Sequence, residues 1–255
     1  MQFFRGNQYD ISEEIQEIQS KHLKKLAQAK NSTSWNRIFS SSFLKPFSCV
    51  GLLCIFSIMS GYNVITSYMI SILEESGSSV DPNLGPILTG SIGLVATLFP
   101  FLLVKRFSPR ALFCTCHLVS TVALLTFAIN SYVNLYYPDL LQHEIFGWLP
   151  IATLILADLM RPLGIGPVID ILGSELYPTE IRTQAIGITK SSYYSISATI
   201  TIVYPHLKNY LGIHGVFFCF STMCAISTYW GYLKIPDTRG KSLVKVEDIF
   251  EKENK

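Results

Sequence analysis

Charged side chains are absent from long stretches of this chain. None falls in residues 46–73, 82–104, 111–138, 191–207 or 209–233. A helix needs roughly 17–25 apolar residues to cross a hydrocarbon core about 30 Å thick. Four of these windows exceed that length and 191–207 just reaches it. A sixth apolar run, 145–174, is interrupted by Asp158, Arg161 and Asp170. The runs are continuous and do not alternate, which argues against the dyad pattern of a membrane β-barrel. Only 15% of the residues are charged, far below the share in soluble domains. The expected fold is an all-α membrane protein with six transmembrane helices.

The polar ends complete the layout. Residues 1–45 read as a cytosolic linker carrying an amphipathic helix, 46–234 as the six-span bundle and 235–255 as a cytosolic tail. The linker helix rests on residues 10–30. Asp10 and Glu13 resemble a capping box, Ile11, Ile15, Ile18 and Leu26 recur at near-helical spacing, and acids precede bases along it. Lysine and arginine then set orientation. Basic residues cluster before the first span, after the second (Lys105, Arg106, Arg110), after the fourth (Arg182, Lys190) and in the tail. The opposite loops, near 74–81, 132–144 and 205–214, hold only Lys208. Both termini are therefore expected in the cytosol, and the sequon at Asn31 is expected to stay unmodified.

Other chemistry is sparse. The six cysteines lie in or beside apolar runs and read as small buried hydrophobes. Cys114-x-Cys116 lacks the spacing of a zinc site, and the histidines form no ligand pattern. No nucleophile motif, phosphate loop or metal spacing is present, so neither an enzyme nor a metal or cofactor site is expected. A net charge of +2 points to no nucleic-acid partner.

Five motifs occur in order: "FFRGNQYDISEEIQEI" (Phe3–Ile18), "SIMSGYNVITSY" (Ser57–Tyr68), "GIGPVIDILGSE" (Gly164–Glu175), "ELYPTEIR" (Glu175–Arg182) and "IPDTRGKSLVKVEDIF" (Ile235–Phe250). Together they resemble the sugar porter family of the major facilitator superfamily, in the manner of its insect facilitated trehalose transporter-like members. The resemblance covers nearly the whole chain. It implies the C-terminal six-helix half of a twelve-span carrier, preceded by the end of the cytosolic loop that joins the halves. Gly164, Gly166 and Pro167 are expected to loosen the fourth helix, and Pro178 to end it. The resemblance also gives Glu175 and Arg182 a role as a cytosolic gate. Their partners are arginines of the loop between the second and third spans, here Arg106 and Arg110. That loop reads "VKRFSPR" where the family has roughly "VDRFGRR", so Lys105 and Pro109 depart from the pattern.

The family's sugar-binding residues are partly replaced. Two glutamines of the first span align with Ser57 and Ile58, and an asparagine of the second with Gly93. A tryptophan of the fourth span aligns with Asp170, and an asparagine–tryptophan pair of the fifth with Tyr193–Tyr194. Asn63 and Tyr68 match the family. Asn63, Tyr68, Asp170, Tyr193 and Tyr194 are the expected substrate contacts. Asp158 and Arg161, three apart, are expected to neutralise each other, whereas Asp170 is expected to have no local partner.

The leading functional expectation is a plasma-membrane carrier of sugar porter type, moving a sugar or small polyol such as trehalose or a hexose by alternating access. Its partners are the solute, the lipid bilayer and the N-terminal six-helix half that this chain lacks. As an incomplete half it is not expected to transport alone. Two alternatives stay open: a non-transporting membrane sensor or interaction protein, and a proton-coupled or organic-cation carrier using Asp170.

Overall fold

Proline and glycine decide where the long apolar runs bend. A computed structural model describes residues 41–137, 144–177 and 181–235. The chain divides into two compact units, Met1–Leu44 and Lys45–Lys255. The expected amphipathic helix at 10–30, the sequon at Asn31, Pro178 and the tail motif beyond Ile235 lie outside the described residues.

The elements are all helical among the described residues. They are α1 (Ser41–Met59), α2 (Tyr62–Glu75), α3 (Leu84–Ala96), α4 (Pro100–Arg106), α5 (Pro109–Tyr136), α6 (Glu144–Met160), α7 (Gly166–Leu176) and α8 (Arg182–Lys234). A π-helical turn, Arg161–Ile165, joins α6 to α7. Gly61, at φ 78° and ψ 3°, interrupts the first run between α1 and α2. That left-handed conformation suits glycine, which has no Cβ to clash. The second run bends by 51° between α3 and α4, where Pro100 opens the new helix.

Four segments are long and apolar enough to cross a membrane, and the bent α3–α4 pair makes a fifth. One of the four, α8, has 53 residues. At 1.5 Å per residue it would run about 80 Å, far more than one crossing needs. Gly212, at φ 70° and ψ 166°, divides it. That backbone region is essentially open to glycine alone.

Cross-contacts show that the two limbs of α8 run in opposite directions. Along the first limb, Asn63 meets Tyr193, Tyr68 meets Thr201 and Glu75 meets Lys208, in the same order as α2. Along the second, Arg110 meets Ile235, Thr121 meets Ser221 and Phe127 meets Phe217, in the reverse order of α5. The longest candidate span thus turns back at Gly212. The sequence windows place the boundary between the fifth and sixth spans at Lys208. The turn comes at Gly212, inside the expected 205–214 loop, while Lys208 stays helical and pairs with Glu75.

The core lies between α5, α6, α2 and the second limb of α8. Leu73, Leu124, Phe127, Leu154, Val216 and Phe217 are fully buried there. Lipid offers no hydrophobic drive between helices, so close packing and interhelical hydrogen bonds hold such a bundle. The rings of Phe127 and Phe217, 4.4 Å apart between centroids, supply the packing. Ser221 supplies a bond, donating to the Thr121 carbonyl at 3.0 Å. Large apolar side chains also cover the outer surface, among them Leu94, Phe101 and Ile202. A bilayer is the solvent that suits such a surface, and the fold is that of an all-α, multi-pass membrane protein. The cysteines are free thiols. Cys54, Cys116 and Cys224 are buried as expected, but Cys219 is exposed on α8.

Candidate functional site

Two helix interruptions, the π turn and the α3–α4 bend, meet at one place. Pro162 has no N–H to give the helix, and its ring crowds the carbonyl one turn back. The chain responds by widening, so that the Gly166 N–H reaches the Arg161 carbonyl across a π turn. The loosening expected at Gly164–Pro167 therefore begins one turn earlier. Such turns are frequent at functional sites. In lipid, irregular backbone is tolerated where protein or a water-filled cavity surrounds it. Here a cavity of about 500 Å³ lies against the turn. The α3–α4 bend reaches it through Thr97 and Pro100, and α1 through Cys54 and Ser57. A smaller cavity of about 290 Å³ adjoins it, sharing Thr97 and Pro162.

Tyr193 is the centre of the polar network. It is buried on the first limb of α8. Its hydroxyl accepts from Arg161 Nη2 at 2.9 Å and from Asn63 Nδ2 at 3.4 Å. The Arg161 guanidinium also lies 4.5 Å from the Tyr62 ring centroid and 5.5 Å from that of Tyr193. Aromatic faces attract cations by their quadrupole. Tyr194 packs edge-on against Tyr193 at 5.3 Å and stays exposed.

The expected substrate contacts divide by position. Asp170, Tyr193 and Tyr194 line the larger cavity, and Asn63 joins them through Tyr193. Tyr68 sits farther along α2. There its hydroxyl donates to the Thr201 carbonyl at 3.3 Å and its ring packs on Tyr204. Two charge expectations need correction. Asp170 does have a partner, since Lys190 on α8 forms an ion pair with it. Asp158 and Arg161 do not pair with each other. Asp158 accepts from Thr66 at 3.1 Å, while Arg161 turns to Tyr193.

Arg161 and Lys190 are cavity residues that sequence spacing did not bring forward. An arginine beside a proline inside an apolar run was the available signal. Helical spacing makes it half of an i,i+3 pair, whereas its partners, Tyr62 and Tyr193, are remote in sequence.

The residues expected to form a gate lie toward the end of the bundle that holds Ile235. Arg110 Nε donates to the Ile235 carbonyl at 2.7 Å, and Arg182 Nε to the Tyr177 carbonyl at 3.2 Å. Glu175 Oε2 is buried without a hydrogen-bond partner. The ion pairs among the described residues are Lys190–Asp170 and Lys208–Glu75. Glu175 is thus not bridged to Arg106, Arg110 or Arg182 in this conformation.

Residues 2–250 match the family model described as "Sugar (and other) transporter". The facilitated trehalose transporter Tret1 of Apis mellifera ligustica is 30% identical over 251 residues, 98% of this chain and 49% of the relative. The Tret1-2 homolog of Drosophila simulans is 27% identical over 97% of this chain and 50% of its own length. Tret1 of Aedes aegypti is 28% identical over 97% of this chain and 30% of its own. The chain spans about half the length, or less, of these curated relatives.

Proposed function

This chain belongs to the sugar (and other) transporter family, and we propose that it supplies one six-helix half of a membrane carrier for a sugar or small polyol. The observation that carries this reading is the meeting of two span breaks, the π turn and the α3–α4 bend, at one polar cavity. Discontinuous helices at a central site are the architecture of alternating access, in which two repeats rock about a bound solute. A cavity of about 500 Å³ suits a small solute. Tyr193 and Asn63 offer hydrogen bonds to hydroxyls, and Tyr194 an exposed aromatic face. Trehalose, named for the relatives, and hexoses are the first solutes to try.

In this reading the carrier sits in the plasma membrane with both termini in the cytosol. A second six-helix unit faces the cavity. Arg106, Arg110, Glu175 and Arg182 close the cytosolic side when the site faces outward. The unbridged Glu175 and its unpartnered buried oxygen fit a state with that gate undone. The Asp170–Lys190 pair weakens the cation-carrier alternative, because the carboxylate already has its counter-charge.

Uptake of labelled trehalose, glucose and a polyol tests this reading. It is measured in cells making the longest polypeptide the gene encodes, beside cells making residues 1–255 alone. Saturable uptake of at least one solute is expected in the first and none in the second. Arg182→Ala is expected to slow that uptake by undoing the gate. Absence of saturable uptake from both would overturn the carrier function, and uptake by residues 1–255 alone would overturn the need for a second unit.

A further inference from the structure

We propose that the cavity at the fourth-span break selects solutes bearing a single negative charge beside their hydroxyls, the fitting chemical class being a sugar acid with one carboxylate. The proposal rests on the carrier reading and adds the charge of its substrate.

The cavity holds two cations, Arg161 and Lys190, and one carboxylate, Asp170. Lys190 and Asp170 satisfy each other. Arg161 makes no ion pair among the described residues, though Asp158, three residues back, is near enough to feel its charge. Asp158 does not cancel it at contact distance, because Asp158 bonds Thr66 and lines the smaller cavity. Tyrosine hydroxyls and rings surround the guanidinium, and none of them brings a negative charge.

Arg161 also has unused donors. A guanidinium carries five N–H groups. The structure uses one nitrogen, Nη2, toward Tyr193, while Nε is buried without a partner. An ionisable side chain in a membrane is costly, and its persistence marks a functional site by default. The planar fork of arginine matches a carboxylate with two parallel N–H···O bonds. A phosphate monoester brings nearly two charges, more than the one this cavity leaves uncompensated. Tyr62 and Tyr193 hold the guanidinium from the side, so its orientation is set before a solute arrives. Ser57, Thr97 and Tyr194 line the remaining wall and suit the hydroxyls and ring of a sugar.

Equilibrium binding to purified residues 1–255 in lipid nanodiscs tests the proposal, since every lining residue belongs to this chain. Glucuronate and glucose differ only at the carboxylate carbon. Glucuronate is expected to bind about tenfold tighter, the effect of one charge-assisted contact. Arg161→Gln is expected to erase that preference, and Arg161→Lys to keep part of it. Raising the salt concentration on the unaltered chain is expected to weaken glucuronate and leave glucose unchanged, a readout that needs no variant. Equal binding of the two solutes, a preference that survives Arg161→Gln, or tighter binding of glucose 6-phosphate overturns the monocarboxylate assignment. Binding of glucose alone sinks this proposal but leaves the carrier reading standing. Binding of neither solute also overturns this proposal, while the uptake experiment on the longer polypeptide decides the carrier reading.

Discussion

Tyr193 joins two helices and a guanidinium through a single oxygen, accepting from Asn63 on α2 and Arg161 at the π turn. Tyr193→Phe removes that acceptor and leaves a charged donor unpaired. A loss of about 1–3 kcal/mol is expected, the usual range for stranding such a group. Thermal unfolding of the purified chain reads it, with Tyr194→Phe as the comparison. Tyr194 is exposed, so its variant is expected to be near neutral. Equal stability of the two variants would contradict the network. At this scale the sequence was informative about identity and poor about pairing. Asn63 and Tyr193 stood out by family resemblance, and the structure places them in contact. Asp170 and Lys190 are twenty positions apart on different helices, so only the folded bundle brings their charges together. Arg161 was paired with Asp158 by helical spacing, a rule that holds when no better partner competes. Two tyrosine rings and a hydroxyl compete here.

The elements owe their shape to a few backbone positions. Gly212 folds α8 back on itself in a conformation that L side chains rarely adopt. Gly212→Ala is expected to cost about 1–3 kcal/mol through backbone strain. Gly187, in the same helix, has nothing within 4 Å of an added Cβ. Gly187→Ala is expected to be neutral or mildly stabilising, since alanine is the better helix former. Equilibrium unfolding in detergent separates the two, and a harmless Gly212→Ala would refute the strained turn. The all-helical, membrane-crossing character was legible in the charge-free windows, because the cost of burying charge in hydrocarbon shapes composition directly. The turn was legible as the 205–214 loop, but not the residue that makes it. Lys208 looked like a loop residue by its charge, yet a counter-ion on α2 lets it remain helical. The π turn was half legible. Gly164, Gly166 and Pro167 signalled loosening, but Pro162 determined where it starts.

At the scale of the molecule, charge and breakage are arranged along one axis. Arg106, Arg110 and Arg182 lie at the end of the bundle marked by Ile235, and Glu75 and Lys208 at the other. The broken spans and the larger cavity lie between these ends. Solute is expected to occupy this cavity. Tyr194 lines it and is 65% exposed, whereas Tyr210 is 88% exposed beside the Gly212 turn. Each position is converted in turn, Tyr194→Cys and Tyr210→Cys, with the exposed native thiol removed by Cys219→Ser. The decisive measurement is the rate of thiol modification in membranes with and without saturating glucose or glucuronate. Solute is expected to slow the reaction at position 194 several-fold and to leave position 210 unchanged. Equal rates at position 194 with and without either solute would contradict that occupancy.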